Sequence, residues 1–145
     1  MYRIFAAKNI LIDERIMTTT QIILLIFAAL VILLYIRRYF RNKTIKHYNP
    51  IEAAEMLKKS INVILLDVRT PMERKENLIK GSFHIPLYEL ENRLDELTRF
   101  KNKEIICYCR SGNRSLTAAI KLKKKGFNSA NLSGGIISWN RNNLK

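Results

Sequence analysis

Cys109-Arg110-Ser111-Gly112-Asn113-Arg114-Ser115 brings a thiol, two guanidinium groups and a glycine together within seven positions. The apolar run Ile105-Ile106-Cys107-Tyr108 before it reads as a short buried strand that stops at Cys109. A helix opens near Ser115. A thiol placed there faces N–H groups that have no intrahelical partner and the positive end of the helix dipole. Arg110 and Arg114 add two full positive charges, and every one of these factors favours thiolate over thiol. The thiolate is the nucleophile, so the pKa of Cys109 is expected well below the roughly 8.5 of a free cysteine. Gly112 opens backbone conformations closed to other residues, so successive N–H groups can turn inward as an anion-binding nest. The pattern is that of a catalytic nucleophile, Cys109, in a cradle for an anion. Arg110, Ser111, Gly112, Asn113 and Arg114 are the residues expected to bind substrate.

This loop resembles the active-site loop of the rhodanese-like sulfurtransferases. Leu66-Asp67-Val68-Arg69 upstream and Gly134-Gly135-Ile136-Ile137-Ser138-Trp139 downstream extend the resemblance over roughly residues 45 to 140. It implies an α/β, rhodanese-like domain with a mainly parallel central sheet flanked by helices. It also implies transfer of a sulfane sulfur from thiosulfate or a persulfide, through a Cys109 persulfide, to cyanide, a small thiol or a protein cysteine. No metal or organic cofactor is needed for that chemistry. In the family an Asp, an Arg and a Glu help brace the loop, and Asp67, Arg69 and Glu73 match those positions. The competing reading of the three is ordinary strand-end and helix-cap residues. Asn77 and His84 replace the family's usual His and Asn at positions expected to be structural.

Loop length bears on the choice of reaction. From Cys109 to Arg114 the pattern is Cys-x4-Arg, whereas phosphatases that share this fold use Cys-x5-Arg, whose wider nest holds a tetrahedral phosphate or arsenate. The shorter loop fits a single sulfur atom, so sulfur transfer is expected over phosphatase or arsenate reductase activity. A second reading is a membrane-tethered persulfide carrier with little turnover of small donors.

The elements that must position this loop follow an alternating pattern. Thr44 to Tyr48 is expected as a first strand. Asn49-Pro50-Ile51-Glu52 then starts a helix running to about Lys59, with Asn as N-cap, Pro at the first position and Glu at the third. Ile51, Ala54 and Leu57 are expected on its core face. Val63 to Val68 is a continuous apolar run, as in a strand covered on both faces. Thr70-Pro71-Met72-Glu73 repeats the capping pattern and predicts a short helix. Leu87, Leu90, Leu94 and Leu97 predict an amphipathic helix over 87–100. Glu104 to Cys109 is the central strand, and the following helix ends at Gly126. Ala130 to Ser133 is a last strand, and Trp139 sits in a last helix as a core residue. Strands alternating with helices predict a parallel sheet with right-handed crossovers.

The formal net charge is +14, and of the 26 Lys and Arg only Arg3, Lys8 and Arg15 precede residue 37. Such an excess suits an anionic substrate or an anionic membrane surface, and background composition is the competing reading because Lys and Asn are frequent all along the chain. No motif with interleaved aromatics supports nucleic acid as a partner. Cys107 and Cys109 are the two cysteines. Cys107 is expected to face away from Cys109 as a small buried apolar residue, without a disulfide, which fits a reducing compartment. His47 and His84 do not complete a metal set with them.

Thr18 to Ile36 carries no charge, close to the roughly twenty residues a bilayer helix needs. It ends in Tyr35-Ile36-Arg37-Arg38 with no small-residue cleavage site, which favours a retained anchor over a signal peptide. The cations that follow place the C-terminal domain in the cytoplasm by the positive-inside rule. The expected organisation is an N-terminal segment 1–17, a transmembrane helix 18–36, a basic juxtamembrane linker 37–44 and a rhodanese-like domain 45–145. A translation start at Met17 would leave the uncharged Met17-Thr18-Thr19-Thr20 on the outer side.

Overall fold

The structure, a computed structural model, describes residues 18–59 and 62–144. Segment 1–17, and with it the expected start at Met17, lies outside the described residues. The chain separates into two compact units, one ending at Phe40 and one beginning at Arg41.

Helix α1 (Thr19–Lys43) makes up the described part of the first unit and ends in the second. Its segment Thr19–Arg37 has a mean hydropathy of 2.5, and none of it is buried. At about 1.5 Å per residue this segment spans roughly 28 Å, close to the thickness of a bilayer's hydrocarbon core. By length and composition it can cross a membrane, a test that a signal sequence also passes. The basic residues after Ile36 continue the same helix, since no Gly or Pro interrupts them and Arg and Lys are good helix formers.

The second unit contains β1 (Lys46–Tyr48), α2 (Pro50–Lys58), β2 (Val63–Asp67), α3 (Pro71–Glu76) and β3 (Phe83–His84). After a 3-10 helix (Leu94–Phe100) come β4 (Glu104–Tyr108), α4 (Asn113–Lys124), β5 (Ser129–Leu132) and α5 (Gly135–Arg141). The strands form one sheet in the order β1-β5-β4-β2-β3, and every neighbouring pair is parallel. This is the expected α/β architecture. β4 lies at its centre with all five residues buried. Its side chains alternate between two cores. Ile105 and Cys107 pack with Leu66, Leu116, Ala119 and Leu122 on the α4 side. Ile106 and Tyr108 pack with Leu65, Leu132, Ala53 and Trp139 on the side of α2 and α5. A sheet covered on both faces explains why β2 and β4 read as unbroken apolar runs.

Both helix-start motifs fold as capping boxes. Asn49 Oδ1 accepts the Glu52 N–H, and the Asn49 N–H donates to Glu52 Oε2. Thr70 and Glu73 repeat the exchange at α3.

Four expectations change. Residues 87–100 do not form one α-helix but a series of turns followed by the 3-10 helix, with bonds such as Leu90 N–H to Leu87 O and Lys101 N–H to Thr98 O. The leucines still bury, Leu90 and Leu97 completely, because tighter i,i+3 turns align nearly the same positions. Ile51 is 52% exposed, and Ala53 faces the core in its place beside the expected Ala54. β3, a two-residue edge strand against β2, is an addition to the expected elements. Finally, Cys107 and Cys109 are both free thiols in the same core cluster, not on opposite sides. Positions two apart along a strand share a face, so the expected divergence fails on the strand's own period.

Candidate active site

All five strands end on one edge of the sheet, and the loops carrying polar groups gather there, as parallel sheets dictate. β4 ends at Tyr108 and the chain turns through residues 109–112 into α4. Gly112 makes that turn at φ +102, a left-handed conformation that glycine adopts without steric cost. Its N–H donates to Cys109 Sγ at 3.1 Å, and the Ser115 hydroxyl lies 3.4 Å from the same sulfur.

The loop's carbonyls are held from the other side. Ile136 N–H donates to Cys109 O at 2.9 Å, and Ile137 N–H donates to Arg110 O at 3.2 Å, both from the first turn of α5. In a trans peptide the C=O and the following N–H point in opposite directions. Fixing these two carbonyls on α5 therefore turns the N–H groups of Arg110 and Ser111 away from α5. Gly135 lets the helix come this close, because a Cβ on it would sit 2.3 Å from Cys109 O.

Cys109 is 1% exposed, and burial pushes its thiol pKa up. Hydrogen bonds from the Ser115 hydroxyl and from the N–H groups of Ser115, Gly112 and Ser111 outweigh burial and hold it below the ordinary value. Among the described residues no such donor bears on Cys107, and burial drives its pKa far up. Two thiols two residues apart are thus shifted in opposite directions, because one has N–H groups aimed at it.

Arg114 does not lie open in the cradle. Its guanidinium forms a two-pronged pair with Glu73, Nη1 to Oε2 at 2.7 Å and Nη2 to Oε1 at 2.5 Å. Glu73 also completes the capping box of α3, so one carboxylate ties α3 to α4. α3 is tied in turn to Arg69, whose Nη1 donates to Glu73 O and to Asn77 Oδ1 and whose Nη2 donates to Asn77 O. Arg69 rests on the fully buried Asp67 through Nε and Nη2 at 3.0 and 2.8 Å. Tyr108 of β4 and Arg74 donate to that carboxylate as well. The path from Asp67 through Arg69, α3 and Glu73 to Arg114 is continuous.

Asn77 and His84, the two departures from the family pattern, both meet Arg69. Asn77 accepts from its guanidinium, and His84 Nε2 lies 2.9 Å from its carbonyl oxygen. Ser111, Asn113 and Arg110 are exposed at the mouth of the loop. Arg110 borders a cleft of about 280 Å³ shared with Glu73, Glu76, Asn77, Ile137 and Asn140. Sequence reasoning missed Ser115 and Asn131. Ser115 was visible only as the last residue of the loop motif, and nothing near Asn131 in sequence marks it.

The Glu73–Arg114 pair gives a pH prediction. The Arg114 guanidinium lowers the Glu73 pKa from an ordinary 4.5 to about 2. A lowered folded-state pKa stabilises fully above the unfolded value and is lost as pH falls through the folded one. Glu73→Gln should therefore destabilise at neutral pH, by about 1 kcal/mol because both partners are partly exposed. Urea unfolding should show the gap from wild type shrinking from about pH 4.5 downward. A gap that grew in acid would contradict the pairing.

A family model described as the rhodanese-like domain matches residues 49–142. The chain belongs to the rhodanese-like domain family. A protein of Allochromatium vinosum named sulfurtransferase is 35% identical over 92 residues, covering 63% of this chain and 84% of its own. A Bacillus subtilis protein provisionally named a sulfur carrier is 43% identical over 82 residues. That match covers 56% of this chain and 42% of the relative. The crystal structure of a rhodanese-related protein from Thermoplasma volcanium aligns with a TM-score of 0.63 at 31% identity. It covers 69% of this rhodanese-like chain and 95% of its own. Relatives named as sulfurtransferases support sulfur transfer as the general activity.

Proposed function

We propose that this rhodanese-like protein is a sulfurtransferase working by double displacement at Cys109. The thiolate attacks the sulfane sulfur of thiosulfate or a persulfide, forming an S–S bond. The donor's own S–S bond breaks, and its electron pair leaves with sulfite or a thiolate. The outer sulfur of the Cys109 persulfide is anionic and rests against the loop N–H groups, as an oxyanion rests in its hole. A thiophilic acceptor then takes that sulfur and restores the Cys109 thiolate. The observation that carries this reading is the buried Sγ, with the Gly112 N–H at 3.1 Å and the Ser115 hydroxyl at 3.4 Å aimed at it.

Arg110 is the donor's anion partner in this scheme, because the guanidinium of Arg114 is engaged by Glu73. Ser111, Gly112, Asn113 and Arg114 complete the loop around the sulfur. Asp67, Arg69 and Glu73 brace it through the path described above. The Cys-x4-Arg loop favours a single sulfur atom over a tetrahedral phosphate or arsenate. α1 anchors the domain in a membrane, with the cations after Ile36 placing it in the cytoplasm.

The relative named as a sulfur carrier favours one other reading, a tethered persulfide carrier with slow discharge. One experiment tests both. Membranes from cells expressing the full chain are washed in high salt and assayed with thiosulfate and cyanide. Repeated turnover in the pellet, about 10- to 100-fold weaker in thiosulfate affinity for Arg110→Ala, is expected. Loading of one sulfur per chain without turnover would favour the carrier, and activity in the wash would refute the anchor.

A further inference from the structure

A row of polar side chains runs from Cys109 to the protein surface on the α4 side of the sheet. Ser115 Oγ lies 3.4 Å from Cys109 Sγ and 2.7 Å from Asn131 Oδ1. Asn131 Nδ2 lies 3.3 Å from His47 Nδ1. Ser115 is 0% exposed and Asn131 4%, whereas His47 sits exposed on the edge strand β1. The β1–β5 register sets His47 beside Asn131, so the sheet itself builds the row.

The Ser115 hydroxyl has one proton and two acceptors, the sulfur and the amide oxygen. We infer that His47 is a positioning residue, the surface end of a hydrogen-bond relay that aims the Ser115 proton and thereby sets how readily Cys109 ionises. With Cys109 a thiol, Ser115 O–H donates to Asn131 Oδ1, and Asn131 Nδ2–H donates to a bare His47 Nδ1. With Cys109 a thiolate, the sulfur is the stronger acceptor and Ser115 turns its proton onto it. The Asn131 amide then rotates end for end, so that Nδ2–H donates to Ser115 Oγ. Its Oδ1 now faces His47 Nδ1, and that nitrogen must carry a proton. No covalent bond among the four residues breaks except S–H, whose proton leaves to water. His47 takes its Nδ1 proton from water, as imidazolium or by exchanging tautomers.

Among the described residues, several charged groups flanking this row have partners of their own. On β1, Lys46 pairs with Glu104, which also accepts from Tyr48 OH. On α4, Arg114 pairs with Glu73, Lys121 with Glu91, and Lys123 Nζ donates to Thr44 O, while Lys124 is exposed. β5 contributes no titratable side chain. Among the described residues, His47 is a titratable group that contacts Asn131 from outside the loop. Because an imidazolium always presents Nδ1–H, protonating His47 favours the thiolate, and the coupling is reciprocal.

The inference rests on Cys109 as the reactive thiol, and alkylation reads the two apart. The rate of iodoacetamide addition to Cys109 is followed against pH in the full-length protein, with the adduct assigned by peptide fragmentation. Wild type is expected to show a second ionisation besides that of the thiol. His47→Gln should lose that second ionisation and react about fivefold more slowly on its acid side, since glutamine takes up no proton. In a second measurement, alkylating Cys109 should shift the ¹⁵N resonances of His47 toward bare Nδ1. Superimposable wild-type and His47→Gln profiles, or His47 resonances blind to alkylation, would overturn the relay. Absence of adduct on Cys109 in wild type would instead remove the nucleophile reading.

Discussion

Cys109→Ser is expected to lower sulfur transfer by about four orders of magnitude or more, the scale seen when a catalytic nucleophile is removed. In the proposed mechanism the loop holds an anion, and the Gly112 N–H and Ser115 O–H are aimed at Sγ. A serine hydroxyl in that place stays protonated at any working pH and attacks sulfur poorly. The fold should tolerate the change, because the serine oxygen can accept the same Gly112 N–H. Cys107→Ser should do the reverse. It buries a hydroxyl beside Leu66, Ile105 and Leu122, costing about 1–3 kcal/mol of stability. Its activity per folded molecule should be unchanged. Denaturant unfolding beside a thiosulfate assay separates the two effects, and equal loss of activity in two folded variants would mean that both thiols react.

Gly135→Ala should be the most damaging change that touches no reactive side chain. The added Cβ would lie 2.3 Å from Cys109 O and 2.7 Å from the carbonyl of Arg110, both backbone and neither able to swing aside. Overpacking of this kind costs about 1–3 kcal/mol. The left-handed backbone at φ +54 adds roughly 1–2 kcal/mol. Moving α5 outward would also release the carbonyls of Cys109 and Arg110, and with them the N–H groups that face the sulfur. A stability loss of about 3 kcal/mol, with a raised Cys109 pKa in whatever folds, is the expected result. Gly126→Ala is the control. Its Cβ meets nothing within 4 Å, so only the cost of its positive φ, roughly 1–2 kcal/mol, should appear. Equal losses in the two variants, measured by urea unfolding, would show that the contact with the loop is unimportant.

The strand–loop–helix around Cys109, both capping boxes and the parallel sheet are legible in the sequence because each is written in neighbouring residues. Asn49 and Glu52, or Thr70 and Glu73, are three apart and interact within one turn. What is not legible is what the fold brings together from afar. Nothing near Arg114 shows that Glu73, 41 residues earlier, claims its guanidinium. Nothing near Asn131 shows that it lies between Ser115 and His47. Asn77 and His84 read as departures from a pattern, and only the structure shows both meeting Arg69. The leucines of 87–100 fix which side is buried but not the winding, since spacings of three and four serve α and 3-10 turns alike.

The most direct test of the mechanism is the mass of the wild-type protein after brief exposure to thiosulfate, with fragmentation that separates Cys107 from Cys109. The mechanism predicts one added sulfur atom on Cys109, lost when cyanide is supplied. Sulfur on Cys107, or an unmodified Cys109 in a protein that still turns over thiosulfate, would contradict it.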